Sequence, residues 1–266
     1  MKRLIINSDD YGRTPEVSRG IREAHLRGVV TSTTCMMNIP TTAADIQVAL
    51  REAPLLGLGV HLVLTADRPI GPHESVRSIT DESGNFLNLS VLTQRIHSIE
   101  VSEVKAEWRR QIEAFIQADG KKPTQLDSHH HSSYFSAALF RAMLELAKEF
   151  DCAIRLPFME GNDAIKEYAP ALLAEFNPRR ANTFYASFYD ELATRAELQR
   201  IIASIQDGTC EIMVHPGYAD EALLKASSYA RQRETELEIL TDPAIRQAIA
   251  DRGIELIHFG SVEQDT

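Results

Sequence analysis

Cysteine is scarce in this 266-residue chain: Cys35, Cys152 and Cys210 are odd in number, lack C-x-x-C spacing and lie in or beside apolar runs. That excludes a disulfide framework and a thiolate zinc knot, and reads as reduced core residues of a cytoplasmic protein. No apolar run approaches the roughly 20 residues that span a bilayer. Met1-Lys2-Arg3 runs straight into Leu4-Ile5-Ile6, too short for the apolar part of a secretion signal. No membrane partner is expected. Basic clusters are missing too: no Lys/Arg run exceeds a pair and the formal charge is -10, so a nucleic-acid partner is disfavoured. Without linkers, repeats or low-complexity tracts, residues 1–266 read as one domain, long enough to bury a full core.

What is present is alternation. Residues 3–8 read as a strand that runs into Asp9-Asp10-Tyr11-Gly12. A helix follows, with Thr14 as cap, Pro15 in its first turn and Gly28 as its stop. Further strands are expected at Val29–Met37, Leu58–Leu64, from Thr124, Cys152–Leu156, Asn182–Phe188, Thr209–Val214 and Ile254–Phe259. Helices are expected between most of them: from Thr41 or Thr42 to about Ala53, around Val104–Ile116, around Leu139–Ala147, and over Glu191–Ile205 with Leu192 inward. The charged face of the Val104–Ile116 helix is expected to face only water. Residues 66–90, rich in Pro, Gly, Ser and Asn, read as a functional lid or a disordered insertion. The region 160–180 is partly helical with unclear edges. Eight strands separated by helices imply an α/β fold with a parallel sheet, open or closed into a barrel, whose ligands gather at the carboxyl ends of the strands.

That rim collects polar chemistry. The first strand ends in Asp9 and Asp10, the third holds His61, the fourth runs through Asp127 into His129-His130-His131, the fifth ends in Arg155 and the seventh in His215. Taken singly each has a plain explanation: a turn, a core imidazole, a strand stop, a structural ion pair. Taken together they read as a catalytic pocket, because a buried polar group without a partner costs about 1–3 kcal/mol and chance accumulation is disfavoured. Strand alternation would put Asp127, His129 and His131 on one face, a group suited to a metal ion. His25, His73 and His97 receive no role, and His258 reads as core packing.

The quoted motifs carry a resemblance. I-I-N-S-D-D-Y-G (5–12), G-V-V-T-S-T-T (28–34), G-V-H-L-V-L-T (59–65), K-P-T-Q-L-D-S-H-H-H (122–131), R-L-P (155–157) and V-H-P-G-Y (214–218) run in order over nearly the whole chain. The sequence thereby resembles the YdjC-like carbohydrate deacetylases, a family that includes chitooligosaccharide deacetylase and hopanoid-associated deacetylases. The resemblance implies a distorted TIM-like (β/α) barrel with parallel strands and outer helices. It also implies a divalent metal, Mg²⁺, on Asp10, His61 and His129. By ligand chemistry Zn²⁺, Co²⁺ or Mn²⁺ suits such a set at least as well.

By similarity to NodB-type polysaccharide deacetylases, Asp9 is the catalytic base and His215 the general acid. Arg155 is grouped on the substrate side, where it would orient Asp9. The implied partner is an N-acetylated saccharide, and family likeness allows a homodimer. One departure stands out: relatives often read H-H-H-x-H-x-x-P, where this chain has Ser133 and Ser136. The rival functions are a metal-dependent phosphoesterase and a non-catalytic sugar-binding protein.

Overall fold

The computed structural model describes residues 1–158 and 162–264, so Glu160 at the edge of the unclear 160–180 region lies outside the described residues. The elements in chain order are β1 (Lys2–Tyr11), α1 (Pro15–Leu26), β2 (Ser32–Cys35), α2 (Thr42–Glu52), β3 (Gly57–Leu62), α3 (Leu89–Gln94), α4 (Val101–Asp119), β4 (Gln125–Ser128), α5 (Ala137–Phe150), β5 (Ala153–Ile154), α6 (Asp163–Phe176), β6 (Thr183–Tyr185), α7 (Arg195–Ser204), β7 (Gly208–Val214), α8 (Glu221–Ala226), α9 (Arg231–Leu240), α10 (Pro243–Asp251) and β8 (Glu255–Leu256).

Seven strands form one parallel sheet in the order β5-β4-β3-β2-β1-β7-β6. The segment entering β6 touches both ends of that sheet. Ile154 bridges Arg180, and Asn182 N–H donates to the Thr209 carbonyl at 2.7 Å. The sheet is thereby curved round into a distorted TIM-like barrel with helices outside. β8 is not a barrel stave. It pairs only with Arg3 and Leu4 at the foot of β1, below the point where β1 meets β2 at Asn7.

The barrel interior is layered, because alternate residues of each strand point inward. At the foot lies an apolar plug of Ile5, Ala153, Phe259 and Val262. Above it the layer is polar: the Gln125 amide donates to Asn7 Oδ1 at 2.8 Å, and Glu211 is fully buried. The top layer is ionic, with Asp9, His61, Asp127 and Arg155. The outward residues of β1, Leu4 and Ile6, pack with the main core beneath the helices.

Two expectations fail locally. Leu192 is 56% exposed, because α7 starts later, at the Thr194 cap whose hydroxyl accepts from Glu197 N–H. The charged face of α4 does not simply face water. Glu107 and Gln111 are fully buried; Glu107 accepts from Ile70 and Gly71 N–H at 2.9 and 2.8 Å, and Glu103 accepts from Ser78 N–H at 2.8 Å. These carboxylates tie down the 66–90 stretch, which is folded against α4.

Candidate active site

β1 ends in two aspartates that face one cavity, which a regular strand forbids because neighbouring side chains alternate. The exception is a left-handed backbone at Asp10, φ 72°, which turns its carboxylate to the same side as that of Asp9. Such a conformation costs a non-glycine residue about 1–3 kcal/mol.

Asp10 meets two imidazoles. Its Oδ1 lies 3.1 Å from His129 Nδ1 and 3.4 Å from His61 Nε2, and the two ring nitrogens are 3.3 Å apart. The other nitrogen of His61, Nδ1, sits 2.7 Å from Asp127 Oδ1, which holds the Nδ1 proton, so that Nε2, turned to Asp10, is the nitrogen from which a bound cation would displace a proton. Burial disfavours a charged His61, but Asp127 and Asp10 outweigh it and push its pKa up to about 10 in the metal-free protein. Burial, helped by the charges of His61 and Arg13, lowers that of His129 against the pull of Asp10. Asp10 Oδ1 is buried without a hydrogen-bond partner. Two imidazole nitrogens converging on one buried carboxylate oxygen, with a second carboxylate behind one imidazole, fit a divalent cation.

Asp9, His61 and Asp127 also lie close enough to share an ion, but that place already holds a positive charge. Arg155 donates from Nη2 and Nη1 to the two Asp9 oxygens at 2.6 and 2.7 Å, and Nη1 lies 3.0 Å from Asp127. Its Nε donates to Glu211 at 2.8 Å. Arg155 has no exposed surface, so it cannot be a substrate contact; its place is behind Asp9, holding it. Burial would raise the Asp9 pKa, yet the Arg155 guanidinium dominates and holds it well below the usual range. Asp10 is likewise held down, against burial, by Arg233 and His129.

His215, delivered by β7, stands on the other side. Its Nε2 is 3.9 Å from Asp9 Oδ2, and its backbone N–H donates to Glu236. Its ring meets Tyr189 and Tyr229 edge-on, and those two rings stack at 4.4 Å. Burial pulls the His215 pKa down to about 4, leaving the imidazole neutral. Glu236 accepts from Tyr229 Oη, and burial lifts its carboxyl to about 7.

The strand-face reading of Asp127, His129 and His131 does not hold. The chain leaves β4 at His129 and enters a tight turn in which His130 and His131 are left-handed, φ 54° and 55°. Asp127 points back to His61 and Arg155. His130 Nδ1 meets Thr65 Oγ1 at 2.8 Å, and His131 packs edge-on to Phe184. Ser133 is buried against Ser128 Oγ at 2.8 Å, and Ser136 caps α5 by accepting from Leu139 N–H. Neither lines the cavity. His258 accepts from Gly260 N–H beside the foot of the barrel, away from the site.

Asp9, Asp10, His61, His129 and His215 all line one cavity of about 770 Å³. Sequence reasoning missed two residues of this site, Arg233 and Glu236. A signal existed: with Leu237 and Leu240 they occupy i, i+3, i+4 and i+7 of α9, one buried stripe in which two of the four residues are charged.

Among known proteins, a carbohydrate deacetylase from Brevibacillus brevis is 38% identical over 261 residues, 98% of this chain and 99% of that protein. A chitooligosaccharide deacetylase from Yersinia pestis is 34% identical, covering 97% and 98%. A crystal structure from Enterococcus faecalis V583, bearing the name of a cellobiose-phosphate cleavage protein, is 35% identical with TM-score 0.88 over 98% of each chain. A family 4 carbohydrate esterase from Streptomyces lividans, solved with acetate, shares the fold at 11% identity and TM-score 0.53, over 100% of this chain and 97% of that one. The family described as YdjC-like protein matches residues 3–251. With that match over most of its length, and relatives above 30% identity end to end, this chain belongs to the YdjC-like family.

Proposed function

We propose that the protein removes acetyl groups from N-acetylated, chitooligosaccharide-like sugars, releasing acetate, as one domain over residues 1–266 in the cytoplasm. The observation that carries this reading is the division of labour between neighbouring aspartates: Asp10 Oδ1 faces His61 and His129, while Asp9 is held apart by Arg155 and faces His215. The names of the relatives support the same reaction.

Asp10, His61 and His129 would hold a divalent cation, Mg²⁺ by family likeness, with Zn²⁺, Co²⁺ or Mn²⁺ suited to the imidazoles. When bound, such a cation would acidify water, whose pKa falls from about 15.7 toward about 7 in favourable zinc sites, and would polarise the acetyl carbonyl. Asp9 accepts the proton of the attacking water. Held ionised by Arg155, it is a weak base and does not keep that proton. Neutral His215, 3.9 Å away, takes it from Asp9 and delivers it to the departing nitrogen, so one proton leaves water and the same proton completes the amine. Base catalysis of this kind contributes about 10² to 10⁴ in rate. Tyr189 and Tyr229 shield His215 from water.

Acetate release from diacetylchitobiose tests the reading. The wild type releases it with a divalent ion and Asp9→Asn does not. Hydrolysis of a phosphate ester without any acetate from N-acetylated sugars would overturn the assignment.

A further inference from the structure

The cation reading above leaves one oxygen of Asp10 unaccounted for, and the fold has already committed it. Arg233 Nη2 donates to Asp10 Oδ2, on the opposite side of the carboxylate from the two imidazoles. The guanidinium is fixed in turn. Its Nε donates to the Tyr229 carbonyl at 3.0 Å, its Cζ lies 5.6 Å from the centroid of the Tyr229 ring, and the Arg233 carbonyl accepts from Gly217 N–H. The side chain is 4% exposed and stands at the cavity wall with Nη1 unpartnered.

We infer that Arg233 is a positioning residue that keeps Asp10 a one-oxygen ligand. A carboxylate can bind an ion through one oxygen or both, and free rotation would let Asp10 close on it with both. With Oδ2 engaged, only Oδ1 faces His61 and His129, and three donors leave positions open for water and the acetyl oxygen. A guanidinium suits this task because it is always charged and its planar fork holds an oxygen in a set direction, which a lysine does not. The arrangement has an electrostatic cost, a positive charge beside a cation. That cost makes sense only where geometry matters more than affinity. The left-handed backbone at Asp10 and the arginine on its carboxylate are two halves of one device: the first aims the side chain, the second fixes its rotation.

The inference rests on the cation reading, and Co²⁺ as a spectroscopic probe separates the two. Co²⁺ added to the metal-free wild type should give intense visible bands of low coordination. Absence of binding would remove the cation site itself. In Arg233→Met the bands should shift and lose intensity as Asp10 takes a second position, with kcat falling about 10- to 100-fold, the usual range for a residue behind a ligand. Arg233→Lys should fall between the two. Wild-type bands in Arg233→Met overturn the inference whatever the rate does. Should that variant not fold, the wild type decides: in a crystal structure with Co²⁺, Oδ2 still on Arg233 and outside ligand distance supports it, and both oxygens on the ion overturns it.

Discussion

Two arginine-aspartate pairs back the cavity, and they differ in what they leave open. Arg155 grips both oxygens of Asp9, meets Asp127 and Glu211 as well, and is fully buried. Arg233 touches one oxygen of Asp10 and leaves the other to face His61 and His129. The first pair belongs to the barrel interior and joins β1, β4, β5 and β7. The second comes from α9, outside the barrel, and reaches in over its rim. In the reaction proposed above, two neighbouring carboxylates of equal chemistry would take different tasks from the direction of the counter-charge: the enclosed one as proton acceptor, the one supported on a single side as ligand.

The comparison can be broken at either pair. The largest effect is expected from chelation: EDTA should abolish acetate release, and added Mg²⁺, Mn²⁺, Co²⁺ or Zn²⁺ should restore it, with the best ion identifying the resident metal. His215→Ala should lower kcat by about 10² to 10⁴ while Co²⁺ still binds, because the proton path lies on the Asp9 side of the divide. Arg155→Met, which strands Asp9, Asp127 and Glu211 together, should cost about 3–5 kcal/mol in urea unfolding of the metal-free protein.

A subtler test uses two buried glutamates, Glu211 against Arg155 and Glu236 against His215 and Tyr229. Burial raises the Glu211 and Glu236 carboxyls from 4.5 to about 7. A raised folded value means stability that is complete below pH about 4.5 and is lost as pH rises through about 7. Urea unfolding of the metal-free wild type should therefore weaken from pH 5 to 8. Glu211→Gln or Glu236→Gln should flatten that slope, each by about 1–3 kcal/mol. A slope unchanged by both would mean that these groups are ionised throughout. The smallest effect is expected at Ser136→Ala, about 1 kcal/mol of stability from the lost cap, with acetate release intact because the side chain lies outside the cavity.

Most of the barrel was legible because strand and helix periods differ and each strand end carries its own polar signal. The strands proved shorter than their apolar runs. Of Val29–Met37 only Ser32–Cys35 is strand, since residues such as Val29, Val30 and Met37 are core without a strand partner. Asp9, Asp10, His61, His129 and His215 were found from strand ends and family motifs, and all reach the cavity. Arg155 was found and expected to orient Asp9, as its two hydrogen bonds to that carboxylate do; only its grouping with substrate contacts fails, because burial is invisible in a string of letters. Arg233 and Glu236 were not found: a charged residue on a helix ordinarily faces water, and only packing against the barrel rim reverses that. The same reason hid Glu107 on α4.

The sequence by itself determined the repeated strand-helix order, the capped start of α1 and the residue types at the barrel mouth, because propensity, periodicity and turn chemistry act over a few neighbours. Only the tertiary structure decided which aspartate faces which arginine, which imidazole nitrogen turns to Asp10, and that β8 wedges beneath the barrel. Those outcomes depend on approach angles between segments tens to hundreds of residues apart, and a carboxylate carries no mark of the charge it will meet.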